Sequence, residues 1–193
     1  MIGQHSHNVL DHGLDQQAII SITKVLYMLK ESCWYWGSRL TSDEAKRMLK
    51  AAPSGTFLLR DSSNERYLFA LTVKTDGGVT NLRLNYCKGR FQLESNDDIV
   101  SPKLPSFDCV VQLVNHYTQS KRRILYCSKS SKTSNKRKAM LKVELAQPFY
   151  NNVPSLQHLC RRAVHSQMNS DTLRHLPMAN TLMQYIMKYP HSI

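Results

Sequence analysis

A hydrophobic strand that ends in an arginine constrains this chain more than any other sequence feature. Residues 55–63 read GTFLLRDSS, and the apolar run in this segment predicts a buried strand. Side chains alternate between the two faces of a strand, so Arg60 shares a face with Leu58 while Asp61 points to the other face. Because a buried guanidinium without a partner is very costly, Arg60 needs either a distant carboxylate or a ligand from outside the protein.

The bulk composition indicates an ordinary soluble protein of one full domain and a smaller unit. The chain has 193 residues, of which 41% are hydrophobic and 21% are charged. The N-terminal residues show no signal peptide, and no apolar run is long enough to span a bilayer. We therefore expect a cytoplasmic protein without an integral membrane segment.

The cysteine pattern favours a reduced intracellular protein without a metal site. The chain has five cysteines, an odd number, and no CxxC motif. No cysteine has a histidine partner nearby in sequence, so none is predicted to be a catalytic nucleophile. We expect no catalytic residues, no metal and no cofactor.

The positive charge of the chain is concentrated in one segment. The formal net charge is +12, but nine of the 26 Lys and Arg residues fall within residues 121–142, which contain no acid. Residues 121–138 are rich in serine and lysine and lack a sustained periodicity, so we predict a long exposed basic loop there. A solvated loop is the favoured interpretation, and the alternative is a contact with acidic peptide, anionic lipid or nucleic acid.

The order of predicted elements indicates an α+β fold with a central antiparallel sheet flanked by two helices. Residues 1–14 are predicted to be a disordered tail, and apolar spacings of three and four predict an amphipathic helix within residues 15–33. A second helix is expected to begin with Ser42 as its N-cap. The other predicted elements are strands at 56–60, 67–74 and 81–86, a short strand in FQLES, a helix within 107–119 and a closing strand in MLKVEL.

A second arginine, Arg83, is predicted to lie on the same side of the sheet as Arg60. It shares a strand face with Asn81, and if the first three strands are neighbours in chain order, the two arginines converge. Ser62 and Ser63 add hydroxyl groups at this place. Guanidinium groups bind phosphate bidentately, and an arginine deep at the end of a strand favours a phosphate on a long aromatic stem. The spacing alone leaves a structural ion pair as the alternative.

The last 43 residues, 151–193, predict two helices that need support. The first helix follows Ser155 as N-cap and carries Leu156, Cys160 and Val164 at i, i+4 and i+8, with Leu159 and Ala163 widening the stripe. A piece of this size without a disulfide or metal seldom folds alone. The stripe therefore packs either on the core of the chain or on a partner.

Several motifs in order resemble a Src homology 2 domain over residues 34–148. They are WYWG, the helix that begins with acidic residues, GTFLLRDSS, YLFALTV and NLRLNY. The arginine-ended strand resembles the phosphotyrosine signature of that family. The resemblance implies a phosphotyrosine pocket lined by Arg60, Ser62, Ser63, Asn81 and Arg83. Asn81 stands where many members have a histidine, and Ser42 stands near the place of a second arginine.

The C-terminal residues 151–193 resemble a SOCS box. PSLQHLCRRAV is similar to its elongin-binding helix, and LPMANTLMQYI is similar to the segment that engages a cullin. This resemblance implies elongin-binding residues at Leu156, Leu159, Cys160 and Val164. It implies cullin-binding residues at Leu176, Pro177 and Met178. Ala179 departs from the usual Leu-Pro-apolar-Pro pattern.

Together, the two motifs resemble the suppressor of cytokine signalling family, and AQPF and YPHSI look closest to its cytokine-inducible Src-homology-2 protein subgroup. The resemblance implies a non-catalytic adaptor that binds tyrosine-phosphorylated cytokine receptor tails and recruits elongin B, elongin C and a cullin–RING ubiquitin ligase. It implies cytoplasmic localisation at the inner face of the plasma membrane and no nucleic-acid partner.

Two other functions remain as alternatives. One is a plain blocker that masks receptor phosphotyrosines, and the other is a nucleic-acid or membrane binder that uses the basic loop. By resemblance, this loop lies beside the groove that reads the residues after the phosphotyrosine, which predicts a preference for acidic residues that weakens with salt.

Overall fold

The computed structural model describes residues 16–94, 104–119, 125–128 and 140–193. The predicted tail at 1–14 and most of the basic loop lie outside these residues. The helices are α1 (Gln16–Glu31), α2 (Ser42–Leu49), α3 (Val110–Gln119), α4 (Leu156–Gln167), α5 (Ser170–Arg174) and α6 (Asn180–Met187). The strands are β1 (Thr56–Asp61), β2 (Phe69–Thr75), β3 (Gly78–Cys87), β4 (Arg90–Leu93), β5 (Leu125–Ser128), β6 (Met140–Val143) and β7 (Gln147–Pro148).

The central sheet has five strands in the order β4-β3-β2-β1-β7. Strands β1 to β4 are antiparallel neighbours in chain order, which confirms the order on which the predicted convergence of the two arginines depends. The hairpin between β2 and β3 closes through Thr75 opposite Gly78, whose φ of 122° suits a residue without a Cβ.

The prediction that MLKVEL closes the main sheet is wrong. Its core forms β6, which pairs with β5 in a separate two-stranded sheet. The main sheet is closed instead by β7, where Gln147 lies opposite Thr56 in a parallel pair with β1. A short apolar run predicts a strand but does not specify its neighbour, because pairing depends on where the chain returns.

Alternation along β1 divides the core into two parts. Phe57 and Leu59 point into the larger cluster, which contains residues of α1 and α3. Leu58 points to the opposite face and packs with Leu49 of α2. Since Arg60 alternates in step with Leu58, its side chain belongs to the face of the sheet covered by α2. The fold is therefore α+β with helices on both faces of the sheet, as predicted.

The N-cap of α2 is Thr41, which corrects the prediction of Ser42. The Thr41 hydroxyl accepts a hydrogen bond from the Glu44 backbone N–H at 3.3 Å, and the Thr41 N–H donates to the Glu44 carboxylate at 2.9 Å. This reciprocal capping box has the sequence signature T-x-x-E, which was visible in the chain. Ser42 is the first helical residue, and its hydroxyl accepts a hydrogen bond from the Asn81 side chain of β3.

A buried arginine joins the C-terminal helices to the first helix. Arg161 of α4 is 2% exposed, and its Nη2 donates to the Glu31 carboxylate at the end of α1 at 2.6 Å. Its Nε donates to His158 Nδ1 at 3.1 Å, and the rings of Tyr185 and Tyr189 lie 4.7 and 4.8 Å from the guanidinium carbon. One side chain therefore connects α1, α4 and α6.

The residues after α6 add further contacts between the C-terminal helices and the first domain. Tyr189 and Ile193 belong to the larger core cluster, and the Ser192 hydroxyl donates to the Asn115 side chain of α3 at 3.2 Å. Gln119 of α3 donates to the same hydroxyl at 2.8 Å. The C-terminal unit thus packs on the first domain, which was one of the two predicted means of support. The short helix α5 was not predicted.

Two histidines are buried against the ring of Tyr189. His158 and His191 are 4% and 7% exposed, and their rings lie 4.9 and 5.3 Å from the tyrosine ring in edge-on contacts. Burial lowers the pKa of both histidines to about 4, and the neighbouring cations Arg161 and Arg162 act on His158 in the same direction. Both side chains are therefore neutral in the folded protein at pH 7.

We expect the free energy of unfolding to fall as the pH drops from 6.5 to 4. In this range the unfolded chain, with histidine pKa values near 6.5, binds more protons than the folded chain, so protonation favours unfolding. The full stability is present above pH 6.5, and lowering both histidine pKa values to about 4 corresponds to a loss of roughly 6 kcal/mol for the pair by pH 4. Urea unfolding at a series of pH values measures it.

The matched variants are His191→Phe and, as a control, His175→Gln at an exposed site. His191→Phe should flatten the pH dependence because the ring contact remains without a titratable group, while His175→Gln should leave it unchanged. If His191→Phe left the pH dependence of the free energy of unfolding unaltered, the result would contradict a buried neutral histidine at position 191.

Candidate functional site

Arg60 is a buried cation without a carboxylate partner among the described residues. It is 3% exposed, and its Nη1 donates to the Asp61 backbone carbonyl at 2.8 Å and to the Ser63 hydroxyl at 3.2 Å. Its Nε is buried and makes no hydrogen bond within the described part of the chain. Burial lowers the pKa of Arg60, against the opposing charges of Asp43 and Asp61, but a guanidinium stays protonated at neutral pH.

The adjacent acid does not neutralise this arginine. The Asp61 carboxylate accepts a hydrogen bond from the Tyr35 hydroxyl at 2.5 Å. Burial and this contact raise the pKa of Tyr35, so the tyrosine remains a neutral donor. The prediction that Asp61 points away from Arg60 is confirmed, since only its backbone carbonyl contacts the guanidinium.

The strand register places Arg83 on the same face of the sheet as Arg60. Arg60 of β1 lies opposite Ala70 of β2, and Ala70 lies opposite Arg83 of β3. Residues directly opposite each other in antiparallel strands share a face, so the three form one row across about 10 Å. Only the methyl group of Ala70 stands between the two arginines in this row.

The Arg83 side chain is held by two residues that the sequence did not predict as part of the site. Its Nη1 donates to Glu94 Oε2 at 3.2 Å, and its guanidinium carbon lies 5.4 Å from the centre of the Tyr67 ring. The Tyr67 hydroxyl donates to the other oxygen of Glu94, and this contact raises the pKa of Tyr67. Arg83 therefore faces the site while paired with a carboxylate.

Asn81 connects the sheet to α2. The Thr72 hydroxyl donates to Asn81 Oδ1 at 2.7 Å, and Asn81 Nδ2 donates to the Ser42 hydroxyl at 3.0 Å. The amide of Asn81 is thus hydrogen-bonded on both sides by groups of β2 and α2. In the structure Asn81 fixes the helix beside Arg60, and Thr72 and Ser42 are its positioning partners.

The turn after β1 presents two hydroxyl groups. The Ser62 hydroxyl accepts a hydrogen bond from the Asn64 backbone N–H at 3.1 Å, and the Ser63 hydroxyl contacts Arg60. A buried guanidinium, hydroxyl groups and a second arginine on one face suit a dianion with several acceptor oxygens. Phosphate on a long side chain has this chemistry.

The second constellation is an apolar stripe that faces outward on α4. Leu156 is 76% exposed, Leu159 is 43% exposed, Cys160 is exposed and Val164 is half-buried. The inner face of this helix carries His158 and Arg161 instead. The stripe does not pack on the core of the chain and leaves several apolar side chains in contact with solvent.

The predicted cullin segment lies between α5 and α6. Leu176 and Met178 are half-buried, and Pro177 is exposed. Ala179 is the N-cap of α6 and provides no side-chain hydrogen bond to the helix.

Comparison with known proteins identifies both regions. The model of the SH2 domain matches residues 34–117, and the model of the SOCS box matches residues 152–187. The chain is 39% identical to Suppressor of cytokine signaling 2 of Rattus norvegicus over 89% of this chain and 82% of that protein. It is 35% identical to the cytokine-inducible SH2-containing protein of Gallus gallus over 92% of this chain and 74% of that protein.

The chain belongs to the suppressor of cytokine signalling family. The human Suppressor of cytokine signaling 2 is also 39% identical, over the same shares of the two chains. A solved SH2 domain of the Monosiga brevicollis CRK/CRKL homolog aligns with a TM-score of 0.42 and 21% identity over 62% of this chain and 88% of that one. The predicted family is confirmed, while these identities do not favour the cytokine-inducible subgroup over Suppressor of cytokine signaling 2.

Membership of this family is consistent with negative regulation of cytokine signalling. Neither the SH2 domain nor the SOCS box is a catalytic family. No helix in the described part of the chain is long and apolar enough to cross a membrane. Within the same residues, no group of three or more His, Cys, Asp or Glu side chains could hold a metal ion.

Sequence reasoning missed the partners that surround the arginines. Thr72 could have been found, because it alternates onto the face of Ala70 once the register with β1 is known. Tyr67 and Glu94 follow only from the positions where β2 begins and β4 ends. No local motif marks either residue, since their contact joins positions 27 residues apart.

We expect Leu156→Ala to leave the free energy of unfolding within about 0.5 kcal/mol of wild type, because the side chain is already in water. The matched control is Leu173→Ala in α5, where a fully buried leucine is lost. That variant should cost about 2–5 kcal/mol. Urea unfolding compares them, and a large cost for Leu156→Ala would mean that the stripe belongs to the core.

Proposed function

We propose that this protein binds tyrosine-phosphorylated tails of activated cytokine receptors through the face containing Arg60. We also propose that it recruits elongin B, elongin C and a cullin–RING ubiquitin ligase through its SOCS box. The first domain would extend over residues 34–148 and the SOCS box over 151–193. It would act in the cytoplasm, at the inner face of the plasma membrane, as a substrate-recognition subunit without chemistry of its own.

The observation that carries the first half is the uncompensated burial of Arg60. This chain contains a second buried arginine, Arg161, which has a carboxylate at 2.6 Å. Arg60 has the same burial, but no carboxylate lies within 4 Å of it in the described residues. Since a buried charge without a counter-charge is costly, the fold retains Arg60 for an anion that comes from outside.

The position of this arginine favours phosphotyrosine over phosphoserine. Arg60 is the fifth residue of a central strand and lies beneath the face covered by α2, so its guanidinium is deep. A phosphate reaches it only on a long side chain. The aromatic ring of phosphotyrosine supplies that length. The other proposed phosphate-binding groups on this face of the sheet are Arg83 and the hydroxyl groups of Ser62 and Ser63. Asn81, which is hydrogen-bonded to α2, is the last of the proposed phosphotyrosine-binding residues.

We expect a receptor-like peptide to bind only in its phosphotyrosine form, not as phosphoserine or unmodified. Arg60→Lys should weaken this binding by about 30-fold or more, because lysine keeps the charge but loses the bidentate geometry. The matched control is Arg66→Lys, at an exposed arginine a few residues further along the chain, which should bind as wild type does. Binding that ignores the phosphate, or survives Arg60→Lys, would contradict the proposal.

The observation that carries the second half is the inverted polarity of α4. A helix that packs on its own domain normally buries its apolar side, but α4 buries His158 and Arg161 and exposes Leu156 and Leu159. Val153, just before the helix, is a further apolar side chain in solvent, at 94% exposure. This surface is the proposed elongin site, with Cys160 and Val164 on its later turns.

We expect the double variant Leu156→Ser, Cys160→Ser to lose co-purification with elongin B and elongin C while keeping wild-type affinity for the phosphotyrosine peptide. Removing exposed apolar contacts weakens the interface without unfolding the helix. Gln157→Ala, an exposed substitution on the same helix, is the control and should retain elongin. Undiminished elongin capture by the double variant would contradict the proposed site.

The same double variant separates the adaptor from the plain blocker. If the protein only masks receptor phosphotyrosines, the variant still suppresses cytokine signalling in cells to the full extent. The adaptor proposal expects reduced suppression and less receptor ubiquitylation.

Leu176, Pro177 and Met178 remain the proposed cullin contacts. The acidic-residue preference stays a prediction, because it depends on residues 121–138, most of which lie outside the described residues.

A further inference from the structure

The proposed phosphate site already contains a carboxylate. Glu94 directly follows β4, and its backbone N–H donates to the Arg83 carbonyl at 2.9 Å. This bond continues the ladder between β3 and β4 by one residue, so Glu94 lies directly across from Arg83 and on the same face. The carboxylate is therefore fixed beside Arg83 by the backbone and not only by its own flexible side chain.

Both oxygens of this carboxylate have protein donors. Glu94 Oε2 accepts from Arg83 at 3.2 Å, and Oε1 accepts from the Tyr67 hydroxyl. The Glu94 side chain is only 24% exposed, whereas Arg83 is 50% exposed. Tyr67 therefore anchors Glu94 independently of Arg83, and the carboxylate stays in place whether or not the arginine leaves it.

Half of the positive charge on this face is paired within the protein. Arg60 and Arg83 contribute two positive charges, and Glu94 removes one of them at contact distance. Asp43 at the start of α2 adds a weaker negative field that acts on Arg60, although Asp43 is exposed and paired with Lys46 at 3.3 Å. A phosphate dianion that approaches Arg83 meets a like charge before it reaches a free guanidinium.

We propose that Glu94 is an internal competitor for phosphate that occupies Arg83 and lowers the affinity of the site for phosphotyrosine. This inference rests on the proposed function of the Arg60 face and adds a residue that limits its affinity. Arg60 remains the main anchor because no carboxylate holds it in the described residues. Phosphate must draw the Arg83 guanidinium away from Glu94 or bind beside the pair, so the residues flanking the phosphotyrosine have to supply the remaining affinity.

The test is Glu94→Gln, which keeps the size and the acceptor oxygen but removes the charge. We expect it to bind phosphotyrosine peptide about 5- to 10-fold more tightly than wild type, the size of effect of one contact-distance like charge in a half-exposed site. Phenyl phosphate, which has no flanking residues, should gain by the same factor in a competition assay. The control is Glu144→Gln, which changes the net charge equally. Glu144 is an exposed acid between β6 and β7.

A second pair of variants tests whether the effect passes through Arg83. In an Arg83→Gln background, adding Glu94→Gln should give a much smaller gain, because the contested guanidinium is absent. An undiminished gain there, or a similar gain in Glu144→Gln, would overturn competition at Arg83 in favour of a general charge effect. Equal or weaker binding by Glu94→Gln would also overturn it, since Glu94 would then merely position the arginine.

Arg60→Lys in the same titrations separates this inference from the proposed function. If Arg60→Lys loses the peptide and Glu94→Gln binds as wild type does, only the competitor role of Glu94 fails. If Arg60→Lys binds as wild type does, the phosphotyrosine site itself fails.

Discussion

The ion pair between Arg161 and Glu31 is the interaction on which the arrangement of this protein depends. It lets α4 turn a charged face toward the first domain, because the guanidinium finds a carboxylate, a histidine nitrogen and two aromatic rings there. The apolar residues of the same helix are then left on the outside. A buried pair of this kind contributes little net stability, but removing one partner typically costs 3–5 kcal/mol, so it fixes which face is turned inward.

The chain's two buried arginines illustrate two solutions to the same cost. The charge of Arg161 is compensated within the protein by the Glu31 carboxylate, although its Nη1 makes no hydrogen bond within the described part of the chain. Arg60 is as deeply buried, yet its protein contacts are a carbonyl and a hydroxyl. Strand β1 gains from the burial of Phe57, Leu58 and Leu59 on both faces of the sheet, which offsets the cost of the cation at its end. The difference between the two arginines is the structural basis of the proposed binding site.

Local pattern and alternation were sufficient to predict the face of Arg60, the neighbouring strands and the Ser155 cap. They could not decide where the stripe on α4 points, since spacings of three and four are the same for a core and for an interface. They also could not find the pairing of Glu94 with Arg83 or the strand β7, because both depend on contacts between distant parts of the chain. The Thr41 cap was readable from T-x-x-E, and the choice of Ser42 was an error of interpretation.

The central claim is that one chain holds a phosphotyrosine and an elongin complex at two separate sites. The most direct measurement is calorimetric titration of the full chain with a phosphotyrosine peptide, before and after saturation with elongin B and elongin C. The account predicts simultaneous binding with unchanged affinities, loss of only the peptide in Arg60→Lys, and loss of only the elongins in the Leu156→Ser, Cys160→Ser variant. Displacement of one ligand by the other, or loss of both ligands in either variant, would contradict it.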